Sequence, residues 1–116
     1  MANITPVTTK PANNDKTSYT LWETLTSANA VGAAIEGPGS PDRSVQAVGT
    51  FDSATVVMQG SNDGTNWVTL TDPLGNAISF TATGLKQISE LTRYIRPSTS
   101  GGGGSQDIDV HLLAKR

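Results

Sequence analysis

The sequence predicts an all-β protein assembled from about eight or nine short strands. Three observations predict this. Apolar and polar residues alternate in short runs, turn signals recur roughly every 8–12 residues, and the segment 54–71 spells out a complete hairpin. In that hairpin Ala54, Val56 and Met58 point to one side and Thr55, Val57 and Gln59 to the other, the period of two that a strand imposes. Asp63-Gly64 supplies the positive-φ residue of a tight turn, Asn62 and Asn66 are expected to bond the local backbone, and Trp67 opens the return run Trp-Val-Thr-Leu-Thr.

The remaining elements follow in chain order. Residues 1–16 are polar, contain Pro6 and Pro11 and show no periodicity, so they read as an extended N-terminal arm. Ile4 and Val7 are its apolar anchors. The rest, 17–116, reads as a single β-domain. Tyr19, Leu21 and Leu25 alternate along 17–26, and Val31, Ala33 and Ile35 along 31–35, before a loop at Gly37-Pro-Gly-Ser-Pro41. Strands are expected at 44–50 and 54–59, with a bend at Phe51-Asp52-Ser53 between them. After 66–71, Asp72-Pro73-Leu74-Gly75 is a turn with proline at its second position. Ile78 and Phe80 share a face of 77–82, and Gly84 ends that run. Leu85, Ile88 and Leu91 fit either period; the short length favours a strand. A brief strand at 93–96 ends at Pro97, and 98–105, with four consecutive glycines, is expected to be a mobile loop. Ile108, Val110, Leu112 and Ala114 face inward along the last strand. This pattern fits a β-sandwich, a jelly roll or a small barrel, and no tandem repeat is present.

Composition narrows the functional classes. A length of 116 residues fits one domain, and 35% apolar residues with six aromatics make a thin core. Neighbours would add burial, so oligomerisation or docking on a larger body is expected. Net charge is −2, with Lys and Arg scattered, so no nucleic-acid face is expected. Cysteine is absent, which favours a reducing compartment or stabilisation by assembly. Residues 1–20 carry Thr, Asn and Pro where a secretion signal needs an apolar core, and no run reaches the ~20 residues of a membrane span. Neither export nor membrane insertion is expected, and Asn3-Ile4-Thr5 therefore carries little weight as a glycosylation acceptor.

Chemistry-bearing patterns are few. Asp107, Asp109 and His111 share one face of the last strand, but neighbours two apart sit ~6.5 Å from each other, too wide for three ligands of one ion. A solvated polar row explains them. The 61–66 turn lacks the order of acidic residues and the distal Glu of a calcium loop. His111 is the only histidine, no serine lies in Gly-x-Ser-x-Gly, and Gly101–Gly104 lacks the Lys and helix of a phosphate loop. No catalytic residue, metal site or cofactor is expected, and the protein reads as a non-enzyme. Arg93-Tyr94-Ile95-Arg96 concentrates the residue types most frequent at interface hot spots.

Four segments carry a resemblance: Gly49-Thr-Phe51, Ala54-Thr55, Gly60-Ser-Asn-Asp-Gly-Thr-Asn-Trp67 and Arg93-Tyr-Ile-Arg-Pro97. Across residues 45–114 the chain resembles the decoration, or cement, proteins of tailed bacteriophages. The resemblance implies a jelly-roll or related β-sandwich on the capsid exterior. It also implies a homo-oligomer (a dimer before a trimer) bound between major capsid proteins after synthesis in the host cytoplasm, with no catalytic residues. The fold expectation is then a jelly-roll-like antiparallel β-sandwich of about eight short strands with an N-terminal arm. Expected contact regions are Ile4 and Val7, then Arg93, Tyr94 and Arg96, then the loop Gly101, Gly102, Gly103 and Gly104. The Gly-Ser-Asn-Asp-Gly-x-x-Trp core is also similar to a hairpin of discoidin-type modules. That resemblance implies carbohydrate or lipid binding; for a carbohydrate-binding module the aromatics expected to stack on sugar rings are Trp22 and Trp67, and a tail or head–tail connector component is the third expectation.

Overall fold

Period-two alternation carries directly into burial. The computed structural model describes residues 3–4, 7–9, 17–36 and 42–115, and of 3–4 and 7–9 the backbone alone. Among them run twelve strands: β1 (Asn3–Ile4), β2 (Val7–Thr9), β3 (Thr17–Leu25), β4 (Val31–Gly32), β5 (Ile35–Glu36), β6 (Asp42–Thr50), β7 (Thr55–Ser61), β8 (Val68–Thr69), β9 (Ser79–Phe80), β10 (Gly84–Ile88), β11 (Tyr94–Ser100) and β12 (Asp107–Lys115). On β12, Ile108, Val110, Leu112 and Ala114 are buried; on β7, Val56 and Met58 are. Their neighbours in sequence look outward.

The strands form two sheets. One has five strands in the order β10-β6-β12-β3-β2. The other has seven, in the order β1-β4-β11-β7-β8, with β5 also paired to β11 and β9 to β7. Every ladder is antiparallel except β1 on β4. With β4/β5 and β8/β9 each taken as one interrupted strand, the chain crosses between sheets as β3, β4/β5, β6, β7–β8/β9, β10, β11, β12. Placing first beside last and third beside sixth in this way is the eight-strand double-sheet arrangement of a jelly roll. The expected fold class is therefore the observed one. Trp22, Leu25, Val45, Met58, Ile78, Phe80, Ile95, Ile108 and Leu112 lie between the sheets in one cluster.

Several local expectations need correction. The strand at 93–96 does not end at Pro97 but runs through it to Ser100, with Pro97 opposite Met58 of β7. Proline is tolerated there because the ladder on the other side is broken: β11 meets β5 at Tyr94–Ile95 and β4 at Ser98, with nothing paired opposite Pro97. The same break frees the Ala33 carbonyl to accept the Trp22 indole N–H at 2.9 Å. Gly84 starts β10 instead of closing the preceding run. In the ambiguous segment Ile88 is buried while Leu85 and Leu91 are exposed, as a strand rather than a helix face requires.

Alternation along β3 is also interrupted. Leu25 pairs with Ile108 but Trp22 with Val110, so β3 holds one extra residue, and Thr24 takes φ 59°. This bulge turns both Trp22 and Leu25 inward and leaves Tyr19 and Leu21 on the outer face. The loop 37–41 lies outside the described residues. So does most of the expected arm, but its 3–4 segment pairs with Val31–Gly32 and its 7–9 segment with Tyr19–Leu21.

Candidate functional site

β11 lies inside the seven-stranded sheet, flanked by β4/β5 and β7. Ile95, Pro97 and Thr99 turn to the core, so Tyr94, Arg96, Ser98 and Ser100 turn outward. Register places Gln59 of β7 directly beside Arg96, and Glu36 of β5 beside Tyr94. Arg96 Nε donates to Gln59 Oε1 at 2.9 Å, and its guanidinium carbon stands 4.0 Å from the centre of the Trp67 ring. That is a close cation–π stack on a half-buried tryptophan. Burial lowers the pKa of Arg96, because desolvation disfavours its charged form.

A second stack adjoins it. Arg93 lies 5.0 Å from the Tyr94 ring centre, and its Nε donates to Glu36 Oε2 at 2.6 Å. The Glu36 hydrogen bond, then the charges of Tyr94 and Glu36, raise the Arg93 pKa. Both partners are about half exposed, at 56% and 49%, so the pair orients side chains more than it stabilises the fold.

The hairpin turn buttresses both stacks. Asp63 Oδ1 accepts from Ser61 Oγ, Thr65 N and Asn66 N, and Oδ2 accepts from Asn66 Nδ2. The Asn66 and Thr65 amides, followed by the Asn66 and Ser61 side chains, hold its carboxyl far below the usual carboxylate range. Gly64 takes φ +78° and approaches the Tyr94 ring so closely that a Cβ there would lie 3.3 Å from it. Asn62 Oδ1 accepts the Arg93 amide at 2.8 Å. The turn is thereby fixed against β11.

The sequence-derived contact residues do not converge on one patch. Arg93, Tyr94 and Arg96 share a face. Gly101–Gly104 lie at the opposite end of β11, beyond Ser100, and form a tied turn instead of a free loop. Gly103 N donates to Asp52 O at 3.1 Å and Ser105 N to Asp52 Oδ2 at 2.9 Å. Ile4 sits on β1, an edge of the same sheet as β11, and Val7 on β2, an edge of the other sheet. Gln59 and Glu36 escaped sequence reasoning, because only cross-strand register brings them to the arginines. Trp22 is fully buried and offers no sugar platform; one face of Trp67 is covered by Arg96.

Asp107, Asp109 and His111 do lie on the outer face of β12, in the five-stranded sheet. Asp109 Oδ1 accepts the Thr24 amide at 2.9 Å and anchors the bulge. The His111 Nδ1 contacts the Tyr19 hydroxyl at 2.5 Å, with the two rings stacked 5.7 Å apart. Among the described residues, no group of three or more His, Cys, Asp or Glu is placed to hold a metal ion.

The outer faces differ in charge. That of the five-stranded sheet carries Glu23, Asp42, Asp107, Asp109 and Lys115 on β3, β6 and β12. That of the seven-stranded sheet, among the described residues, carries Arg96 and Glu36 with Arg93 beside them, amid Thr55, Val57, Gln59, Ser79, Ser98 and Ser100.

No protein-family model matches the chain, and no curated protein matches it. Among solved structures it is similar to the SPBc2 prophage-derived protein YomS, with a TM-score of 0.58 and 11% identity, over 91% of this chain and 100% of that one. At that identity the likeness establishes a shared fold.

Proposed function

We propose that this chain is a non-enzymatic structural protein of a bacteriophage particle, a decoration protein that sits on the head exterior and staples neighbouring major capsid proteins. The observation that carries the reading is the outer face of the seven-stranded sheet, where two arginine–aromatic stacks are held in place by the turn beneath them. Arg, Tyr and Trp are the residue types enriched at interface hot spots. The reading gains support from a fold shared over 91% of this chain with a prophage-derived protein.

The physical mechanism is area. A durable contact needs roughly 1,000 Å² or more of buried surface, which a sheet face can supply. The edges add a second means. β1 and β2 contribute only two and three paired residues, so a neighbour's strand can displace them at low cost. A dimer built by such an exchange would carry two stacked faces and bridge two capsid subunits.

Co-sedimentation tests the proposal. Purified protein mixed with undecorated heads is expected to pellet with them and to raise the temperature at which they rupture; isolated tails serve as the parallel arm. Protein that stays in the supernatant with heads, or that pellets with tails alone, contradicts the head assignment.

A further inference from the structure

The geometry points to Arg96 as the anchor for a carboxylate, an Asp or Glu side chain, presented by the partner protein that docks on the outer face of the seven-stranded sheet. The inference rests on reading this face as the contact surface, and adds the chemistry of what meets it.

Charge bookkeeping on the face singles out this residue. Arg93 already has Glu36 at 2.6 Å. The Asp63 carboxylate, in the adjoining turn, accepts four hydrogen bonds from its own loop. Among the described residues Arg96 makes one side-chain hydrogen bond, to the neutral Gln59 amide, beside its stack on Trp67, and no carboxylate bonds to it. A half-buried guanidinium without a counter-charge is costly unless something supplies one.

The geometry supplies direction as well as need. Trp67 covers one face of the guanidinium and Gln59 takes Nε, so the remaining donors lie on the Nη edge. That edge is a planar fork matched to two carboxylate oxygens, and its orientation is fixed before the partner arrives. Lysine would keep the charge and lose the fork. A protein is favoured over an anionic glycan because the ring a sugar would stack on is already covered on one face by Arg96. The rest of the patch is neutral and hydroxyl-rich, so a charged pair at its centre would also fix register.

The test uses the full chain labelled with ¹⁵N at arginine, titrated with poly-L-glutamate. A saturable shift of the Arg96 Nε–Hε resonance, retained in Arg93→Gln, together with loss of saturable binding by Arg96→Lys in calorimetry, is the expected result. An unmoved resonance, or Arg96→Lys that binds as well as wild type, overturns the inference. So does a stronger response to hyaluronate than to poly-L-glutamate, which would assign a glycan. Arg96-dependent self-association without added peptide would assign a second copy of the chain and likewise overturn it. On heads, Arg96→Lys is expected to bind about tenfold more weakly than wild type. Equal binding refutes the inference while sparing the head assignment. A positive titration with no binding to heads refutes that assignment alone.

Discussion

Four consecutive glycines between β11 and β12 face four different surroundings. Gly101 takes φ +76°, where a side chain is strained. A Cβ on Gly102 would stand 1.8 Å from Gln106 Oε1, and Gln106 is buried with its Nε2 bonded to Leu25 O and Thr99 Oγ1. A Cβ on Gly103 would meet the Asp52 carboxylate at 2.4 Å, while Gly104 has nothing within 4 Å. Gly102→Ala is therefore expected to cost about 1–3 kcal/mol through overpacking, and Gly104→Ala to stay within about 0.5 kcal/mol of wild type. Urea midpoints of the two variants check this, and equal midpoints would mean the loop is free. The composition of the run suggests mobility, because glycine alone does not reveal which side chains stand where its own would be. Asp63 gives a second prediction at this scale. Its carboxyl titrates far below the ~3.9 of an unfolded aspartate. The stability it contributes is thus fully present above that unfolded value and is lost as pH falls towards the folded one. The advantage of wild type over Asp63→Asn is expected to be constant near neutrality and to shrink steadily below about pH 4. Thermal melting across pH 2–7 measures it; an advantage independent of pH would show that the turn does not rely on the charge.

Strands with strong alternation, β7 and β12, were legible from the residues alone, because burial on one face enforces period two. Elements shaped by a ladder defect were not. Pro97 reads as a stop, yet it sits in β11 because β4 and β5 part opposite it and leave no bond for its missing N–H to spoil. Trp22 and Gly32 belong to the same defect. A Cβ on Gly32 would lie 2.6 Å from Trp22 Cδ1 and 2.7 Å from the Pro97 ring, and both of those side chains are buried. Gly32→Ala is expected to destabilise the fold by about 1–3 kcal/mol and to disturb Trp22, visible as a shift in its indole N–H resonance. A variant with unaltered stability and spectrum would show that the break between β4 and β5 is slack. The bulge at Thr24 is likewise invisible to pattern reading: only its partner β12 reveals that one residue is extra. Glu90 ties loop to loop in the same fashion. Burial works against its ionised form, but the Thr71 hydroxyl and amide outweigh it and hold the carboxyl below its usual range.

At the scale of the molecule, strand number and class follow from the spacing of turns, while the pairing order of the jelly roll needs three-dimensional closure. The same holds for the candidate site. Arg93, Tyr94 and Arg96 are adjacent in sequence and could be singled out as interface types; Gln59, Glu36 and Trp67 join them only through register and the hairpin turn. What emerges is a sandwich with two unlike outer faces. Among the described residues, one outer face bears carboxylates, and the other is nearly neutral, with the Arg96 guanidinium bonded to no carboxylate. Such a molecule can be oriented by its partner, which a staple between fixed subunits requires. Electron cryo-microscopy of heads saturated with the protein tests this most directly. The account predicts added jelly-roll density on the outer surface at junctions between capsid subunits, with the Arg96 face turned inward against the shell. Density with the β12 face against the shell, or heads bare of any added density, would contradict it.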